Sequence, residues 1–343
     1  MRGSGMAKVL VLGGAGFIGF HLVKHLTENF DHDILVIDNL SRGSLDGELR
    51  ELLDANPSVR FAPADLTDPA SLEPLGRFDH VYLLAGVVGV HNVSSAPARV
   101  LAVNTGVILN TFNWLARHGC DRLLFASTSE AYAGSVELGL ASVPTDETVP
   151  LAFRDVHDPR STYALTKTLG ESFLSHYSRS FGFEAVAVRF HNVYGPRMGY
   201  SHVVPELMQR IRQRMDPMPV YGLDQTRAFC YVGDAVRACT ALMECEIDGP
   251  QIVNVGNDSE EVSITTLLGT MLNVTGYFPD IQNFPSAAGG VARRCPDISK
   301  LRDLTGFEPQ VNLFDGLKLT WDWYGTDRPA SHPVGANEVR NVR

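Results

Sequence analysis

The sequence predicts an α/β fold, a doubly wound and mostly parallel sheet with a smaller C-terminal lobe. Three features predict it. Short apolar runs recur through the first half of the chain, with helix-like stretches between them. The first of these runs ends in a cluster of glycines that opens a helix. After about Asn192, prolines and turn residues break the pattern into shorter pieces. Runs that are apolar throughout suit strands buried on both faces, and strand–helix alternation implies a parallel sheet covered by helices.

The elements follow in order. Residues 9–12 read VLVL and form the first strand. Residues 16–29 carry Phe17, Ile18, Leu22, Val23 and Leu26 at helical spacing. Further strands are expected at 33–37, 59–61, 81–84, 123–126 and 185–188, with long helices at 96–117 and 162–181. Beyond Asn192 the pattern predicts a helix at 204–214, an extended piece at 219–221, a strand at 252–255 and a helix at 264–274. These would form a smaller lobe over the carboxyl edge of the sheet. Residues 326–343 show neither pattern and are expected to be a mobile polar tail.

The chain has 343 residues, 44% of them hydrophobic, enough for one large domain or two unequal lobes. A net charge of −10 argues against nucleic-acid binding, which needs a basic face. The cysteines at 120, 230, 239, 245 and 295 are scattered and odd in number, which speaks against a disulfide framework and against a metal site. No apolar run approaches the ~20 residues of a membrane span. Residues 1–5 lack a signal-peptide pattern, and Met6 is an alternative start. A cytoplasmic location is expected.

Gly13, Gly16 and Gly19 join the first strand to the first helix. They permit a tight turn, close approach of a pyrophosphate, and close packing of helix on strand. The helix N-terminus adds free N–H groups for that pyrophosphate. Asp38 ends the second strand, about 20 residues after the glycines, where a carboxylate accepts ribose hydroxyls and repels a 2′-phosphate. That favours NAD over NADP; Arg42, close by, would soften the preference. Asp65 stands where a third strand would end near the adenine.

Tyr163 and Lys167 lie four residues apart on a predicted helix and project from one face. A phenol is a poor base near neutrality, with a pKa of about 10. A neighbouring ammonium stabilises the phenolate. Such a tyrosine takes a proton from a hydroxyl while hydride leaves for a nicotinamide. Ser127-Thr128-Ser129-Glu130 ends a buried strand, and strand carboxyl ends are where open α/β sheets bind ligands.

In this order GGAGFIG, Asp38-Asn39-Leu40, ASTSEAY and YALTK resemble the extended short-chain dehydrogenase/reductases. More narrowly, they resemble the NAD-dependent nucleotide-sugar epimerases, dehydratases and decarboxylases. The resemblance runs from about Lys8 to about Tyr324. It implies a Rossmann-type NAD domain over residues 7–190, to which later segments return, and a mainly nucleotide-sugar lobe over 191–325. It implies a tightly held NAD, with Tyr163 as base at the sugar C4 hydroxyl. Lys167 would tune that base and hold the nicotinamide ribose, and Thr128 would bond the C4 oxygen. Cofactor contacts carry over to Gly13, Gly16, Phe17, Ile18, Gly19, Asp38, Asn39, Asp65, Leu66, Leu84, Ala85, Gly86, Asn104 and Phe190, with Tyr163 and Lys167. Substrate contacts carry over to Asn192, Arg197, Tyr221, Arg227 and Arg294. The two long helices would form a homodimer interface through Val107, Leu109, Phe112, Leu169, Phe173 and Tyr177.

The resemblance leaves the reaction open. Oxidation at C4 acidifies the C5 hydrogen and activates a C6 carboxylate for loss. Thr128-Ser129-Glu130 resembles the triad of GDP-mannose 4,6-dehydratases and UDP-glucuronate decarboxylases, in which an acidic residue stands at the position of Glu130. Arg294, with Cys295-Pro296-Asp297-Ile298, leans toward the decarboxylases; residues 160–164 look like a generic epimerase/dehydratase. If Glu130 has no acid/base duty, the outcome is a 4-epimerase. An NADP-dependent ketoreductase and a non-catalytic NAD-binding protein remain as other classes.

Overall fold

The computed structural model describes residues 6–285 and 292–325. The first half of the chain forms β1 (Lys8–Leu12), α1 (Phe17–Asn29), β2 (Asp33–Asp38), α2 (Gly47–Ala55), β3 (Val59–Pro63), β4 (His80–Leu83), α3 (Val90–Ser95), α4 (Pro97–His118) and β5 (Arg122–Thr128). Next come α5 (Ala133–Glu137), α6 (Pro159–Phe181), β6 (Glu184–Phe190) and β7 (Val193–Tyr194). The second half adds α7 (Val203–Arg212), β8 (Met218–Tyr221), β9 (Thr226–Ala228), β10 (Cys230–Tyr231), α8 (Val232–Glu244) and β11 (Gln251–Val255). It closes with β12 (Glu261–Ser263), α9 (Ile264–Thr275), β13 (Ile281–Phe284), β14 (Arg293–Arg294), α10 (Ser299–Thr305) and α11 (Leu313–Tyr324).

Seven strands form one sheet in the order β11-β6-β5-β4-β1-β2-β3, with all pairs parallel. The strand order reverses between β1 and β4, which opens a crevice at the carboxyl edge. Alternation along β1 divides the core. Val9 and Val11 pack with Leu22, Val23 and Leu26 of α1 on one face. Leu10 and Leu12 pack with Val107, Phe112 and Leu115 of α4 and Leu174 of α6 on the other. The Rossmann-type expectation is met.

Two features of the second half differ from the expectation. The strand expected at 252–255 belongs to the main sheet, where β11 runs beside β6 with Val255 opposite Phe190. Helix α8 carried no sequence-level expectation, yet it packs Val232, Ala235, Val236, Cys239 and Leu242 into the same core as α1. The lobe proper has its own core, built on Leu207, Met208, Met218, Phe229, Leu267, Met271 and Leu317. The tail expected at 326–343 lies outside the described residues.

Candidate active site

The glycine turn is built as its residues require. Gly13 has φ +92°, and a Cβ there would meet the Ala85 nitrogen at 2.6 Å. A Cβ on Gly19 would stand 2.2 Å from the Gly13 carbonyl. Asp38 accepts hydrogen bonds from the Ala15 and Leu40 N–H groups at 3.1 and 2.8 Å, so its carboxylate is fixed beside the turn. Burial pushes its pKa up, against those bonds.

These residues line a cavity of about 420 Å³. Gly13, Gly16, Phe17, Ile18, Gly19, Asp38, Asn39, Asp65 and Leu66 line it at one side, and Leu84, Ala85 and Gly86 follow. Thr128, Ser129, Glu130, Tyr163, Lys167 and Phe190 line its other end. A carboxylate at the second strand, a crowded glycine turn and a hydroxyl-lined far end fit a dinucleotide. Asn104 does not line the cavity. Its side chain is buried, accepts from the Val87 N–H at 2.7 Å and donates to Val87 O and Thr166 Oγ1, so it fastens the loop after β4.

Strand β5 stops at Thr128, whose Oγ1 accepts from the Glu130 N–H at 3.2 Å and starts a 3₁₀ turn over Ser129–Tyr132. The strand thus ends before Glu130, and the turn brings Thr128 and Glu130 both into the cavity. Helix α6 begins at a capped end, where Asp158 accepts from the Arg160 N–H at 2.9 Å and Pro159 opens the first turn. Tyr163 and Lys167 follow on one side of it. Gly170 lets α6 lie directly on β5, since a Cβ there would meet the Phe125 ring at 2.2 Å.

Burial and the Glu130 carboxylate push Tyr163 up, while a hydrogen bond with Thr128 and the charge of Arg42 favour the phenolate. Lys167 Nζ stands 5.8 Å from the centre of the Tyr163 ring and 5.0 Å from that of Phe125. Burial pushes the lysine down to about 8. Among the described residues no carboxylate pairs with it.

Glu130, Arg160, Asn192 and Arg294 line both this cavity and a second one of about 700 Å³. Tyr221 and Arg227 line the second cavity only, on the lobe side. Arg294 Nη1 donates to Glu130 Oε1 at 2.7 Å. Burial raises the pKa of Glu130, but Arg294, with Arg160 and Arg227 further out, holds it below the usual carboxylate range. Asn192 adopts φ +41° and donates to the Ala228 carbonyl at 3.1 Å. Arg197 departs from its expected substrate role. It lines neither cavity, pairs with Asp46 at 2.9 Å and Glu48 at 2.8 Å, and lies over the Phe20 ring.

Sequence reasoning missed the support behind these residues. Buried Arg189 of β6 binds both oxygens of Glu171 on α6 and donates to Tyr132 at 2.7 Å. Tyr132 donates to Asn254 at 2.9 Å, and Asn254 ties in Thr145 and Asp297. This network joins the ends of β6 and β11, helix α6 and the Glu130 turn. Its one sequence signal was two polar residues, Arg189 and Asn254, inside otherwise apolar strands. A separate trio, His32, His80 and Glu244, gathers at the opposite edge of the sheet with donor atoms within 4.8 Å of one another. There the Ala7 N–H donates to His32 Nδ1 at 3.3 Å, which already occupies that nitrogen's lone pair.

Residues 9–256 match the NAD dependent epimerase/dehydratase family. The chain is 31% identical over 328 residues to a UDP-N-acetyl-alpha-D-glucosaminuronate decarboxylase of Bacillus cytotoxicus, covering 92% of this chain and 97% of that one. It is 32% identical over 320 residues to UDP-glucuronic acid decarboxylase 5 of Arabidopsis thaliana, covering 91% and 87%. Among solved structures it resembles the UDP-glucuronic acid 4-epimerase of Bacillus cereus, solved with UDP-glucuronic acid and NAD. The TM-score is 0.81 at 26% identity, over 92% of this chain and 98% of that one. With its parallel sheet, glycine turn and tyrosine–lysine pair in place, this chain belongs to the NAD-dependent epimerase/dehydratase family of nucleotide-sugar-modifying enzymes.

Proposed function

We propose that the protein is a UDP-uronate decarboxylase: it oxidises C4 of the sugar, releases the C6 carboxylate as carbon dioxide, and reduces C4 again. The observation that carries this reading is the Glu130–Arg294 ion pair where the two cavities meet. NAD supplies the hydride acceptor and returns the hydride. Tyr163 takes the C4 hydroxyl proton, and Thr128 orients the oxygen. Lys167, left without a carboxylate in a buried place, offers its N–H groups to the nicotinamide ribose.

The state of Glu130 separates the C6 outcomes. A 4,6-dehydratase must protonate a departing C6 hydroxyl, and a carboxylate held ionised by arginine is a poor acid. Carbon dioxide leaves a β-keto acid without needing a proton on the leaving group. Arg294 would receive the uronate carboxylate; Glu130, released from that arginine, would rise in pKa, take up a proton from solvent and pass it to C5. Asn192, Arg227 and Tyr221 are assigned to the nucleotide diphosphate side. The decarboxylase relatives support the reading.

Similarity to the Bacillus cereus structure favours a second reading, a 4-epimerase in which Glu130 only orders Arg294. Glu130→Gln distinguishes them. Under the decarboxylase reading the variant still reduces bound NAD and releases carbon dioxide on mixing with UDP-glucuronic acid, but protonates C5 slowly, so re-oxidation of the cofactor and turnover fall on the order of 10²-fold or more; a variant that inverts C4 at the wild-type rate contradicts it.

We also assign a homodimer to α4 and α6, and a cytoplasmic location. Phe112, Phe173 and Tyr177 pack on one another within the chain, and Val107 is buried, so they are not the outer surface. Leu101 and Leu109 of α4 and Leu169 and Phe181 of α6 remain about 40–50% exposed and form the candidate face. Light scattering at micromolar concentration should show twice the chain mass of 37.5 kDa; a monomer refutes the dimer.

A further inference from the structure

Arg42 follows Asp38 by four positions, yet it is not placed as a reader of the adenosine ribose. Its loop presses on the glycine turn: a Cβ on Gly43 would meet the Ala15 carbonyl at 2.4 Å. From there the guanidinium enters the cofactor cavity and reaches the second lobe. Nη2 donates to His202 Nε2 at 3.4 Å, and a Cβ on Gly199 would come within 3.2 Å of the same nitrogen. The titrating groups that feel its charge are Tyr163 and His202, not Asp38. Burial lowers His202 to about 4, so the ring is neutral and accepts.

The charges around Arg42 do not balance. Arg122, Arg189, Arg197 and Arg294 each have a carboxylate. Among the described residues Arg42 has none, although burial makes its charge costly. The α1 N-terminus beside it offers N–H groups and partial positive charge, not compensation. The cavity therefore presents a guanidinium that no carboxylate neutralises, and a dinucleotide brings an anion in its pyrophosphate. A guanidinium fork suits that group, and the dry surroundings strengthen the pair.

We propose that Arg42 binds the pyrophosphate of bound NAD, and that its contact with His202 ties the cofactor to the substrate lobe. This rests on the family's cofactor and not on which sugar reaction follows. Arg42 is thus a positioning residue. It closes the middle of the dinucleotide site and makes release of NAD depend on the loop before α7.

The test titrates NAD-stripped wild type, Arg42→Gln and Arg42→Lys with ADP-ribose, adenosine and UDP by calorimetry. Arg42→Gln should weaken ADP-ribose on the order of 10–100-fold and leave adenosine and UDP within about two-fold. Arg42→Lys should recover most of the loss. Without ligand, Arg42→Gln should melt no lower than the wild type, because an unpaired buried charge has gone. His202→Ala should release NAD several-fold faster in a chase experiment. Unchanged ADP-ribose affinity in Arg42→Gln overturns the proposal. A parallel loss of adenosine also overturns it, making Arg42 a support for its loop, and so does a larger loss of UDP, which would give it to the substrate. An unchanged NAD release rate in His202→Ala removes the link to the lobe.

Discussion

Tyr163 sits in surroundings that oppose its ionisation, since burial and Glu130 both favour the neutral phenol. The role of base proposed for it would therefore depend on cations and on hydrogen bonds made at the moment of transfer. Tyr163→Phe should lower turnover by about 10²–10⁴-fold and leave UDP-sugar affinity within a few-fold, checked by steady-state rates and calorimetry. Lys167 shows the opposite imbalance. Its pKa falls from 10.5 to about 8 through burial. Between those values the unfolded chain binds the proton and the folded one does not, so this residue's penalty is full below pH 8 and relieved as pH rises toward 10.5. Lys167→Met should raise the melting temperature of the NAD-free protein by on the order of a few °C at pH 7, and the gain should shrink by pH 10. A gain independent of pH would mean the lysine is not strained by burial. Gly13, Asp38, Tyr163 and Lys167 were legible because their chemistry is written within a few residues of chain. Arg42 and His202 were not placed by sequence, because each meets the other across the two lobes.

At the scale of elements, α6 and β5 carry the chemistry together. Their spacing rests on Gly170 against Phe125. Gly170→Ala should destabilise the protein by about 1–3 kcal/mol through overpacking and move Tyr163 and Lys167 off the cavity, lowering turnover more than substrate affinity. Unchanged stability and rate would show that the helix can shift at no cost. The parallel strands were readable as apolar runs, and α1, α4 and α6 as long periodic stretches. Helix α8 was not, although Val232, Val236, Cys239 and Met243 recur on one face of it; Gly233 in its first turn and the small residues Ala235 and Ala238 interrupt the apolar pattern along the chain. The turn at Ser129–Tyr132 was not read from the sequence either. The side chain of Thr128 caps its own continuation, a local competition that strand propensity does not report.

For the whole molecule, the two lobes meet across α2. Arg197 pairs with Asp46 and Glu48, and the Trp323 indole donates to Glu48 at 3.1 Å. Arg197→Met should cost on the order of 1–3 kcal/mol of stability with substrate affinity unchanged; weaker substrate binding at unchanged stability would return Arg197 to the substrate site. Through this junction the lobe carries Arg227 and Arg294 to the carboxyl edge of the sheet, where Glu130 waits. The central claim is that this meeting removes the sugar's C6 carboxylate after C4 oxidation. Mass spectrometry of the product formed from UDP-glucuronic acid in D₂O tests it most directly. A pentose product, lighter by carbon dioxide and carrying one deuterium at C5, is predicted. A product of unchanged mass, inverted at C4 and free of deuterium, would contradict the account.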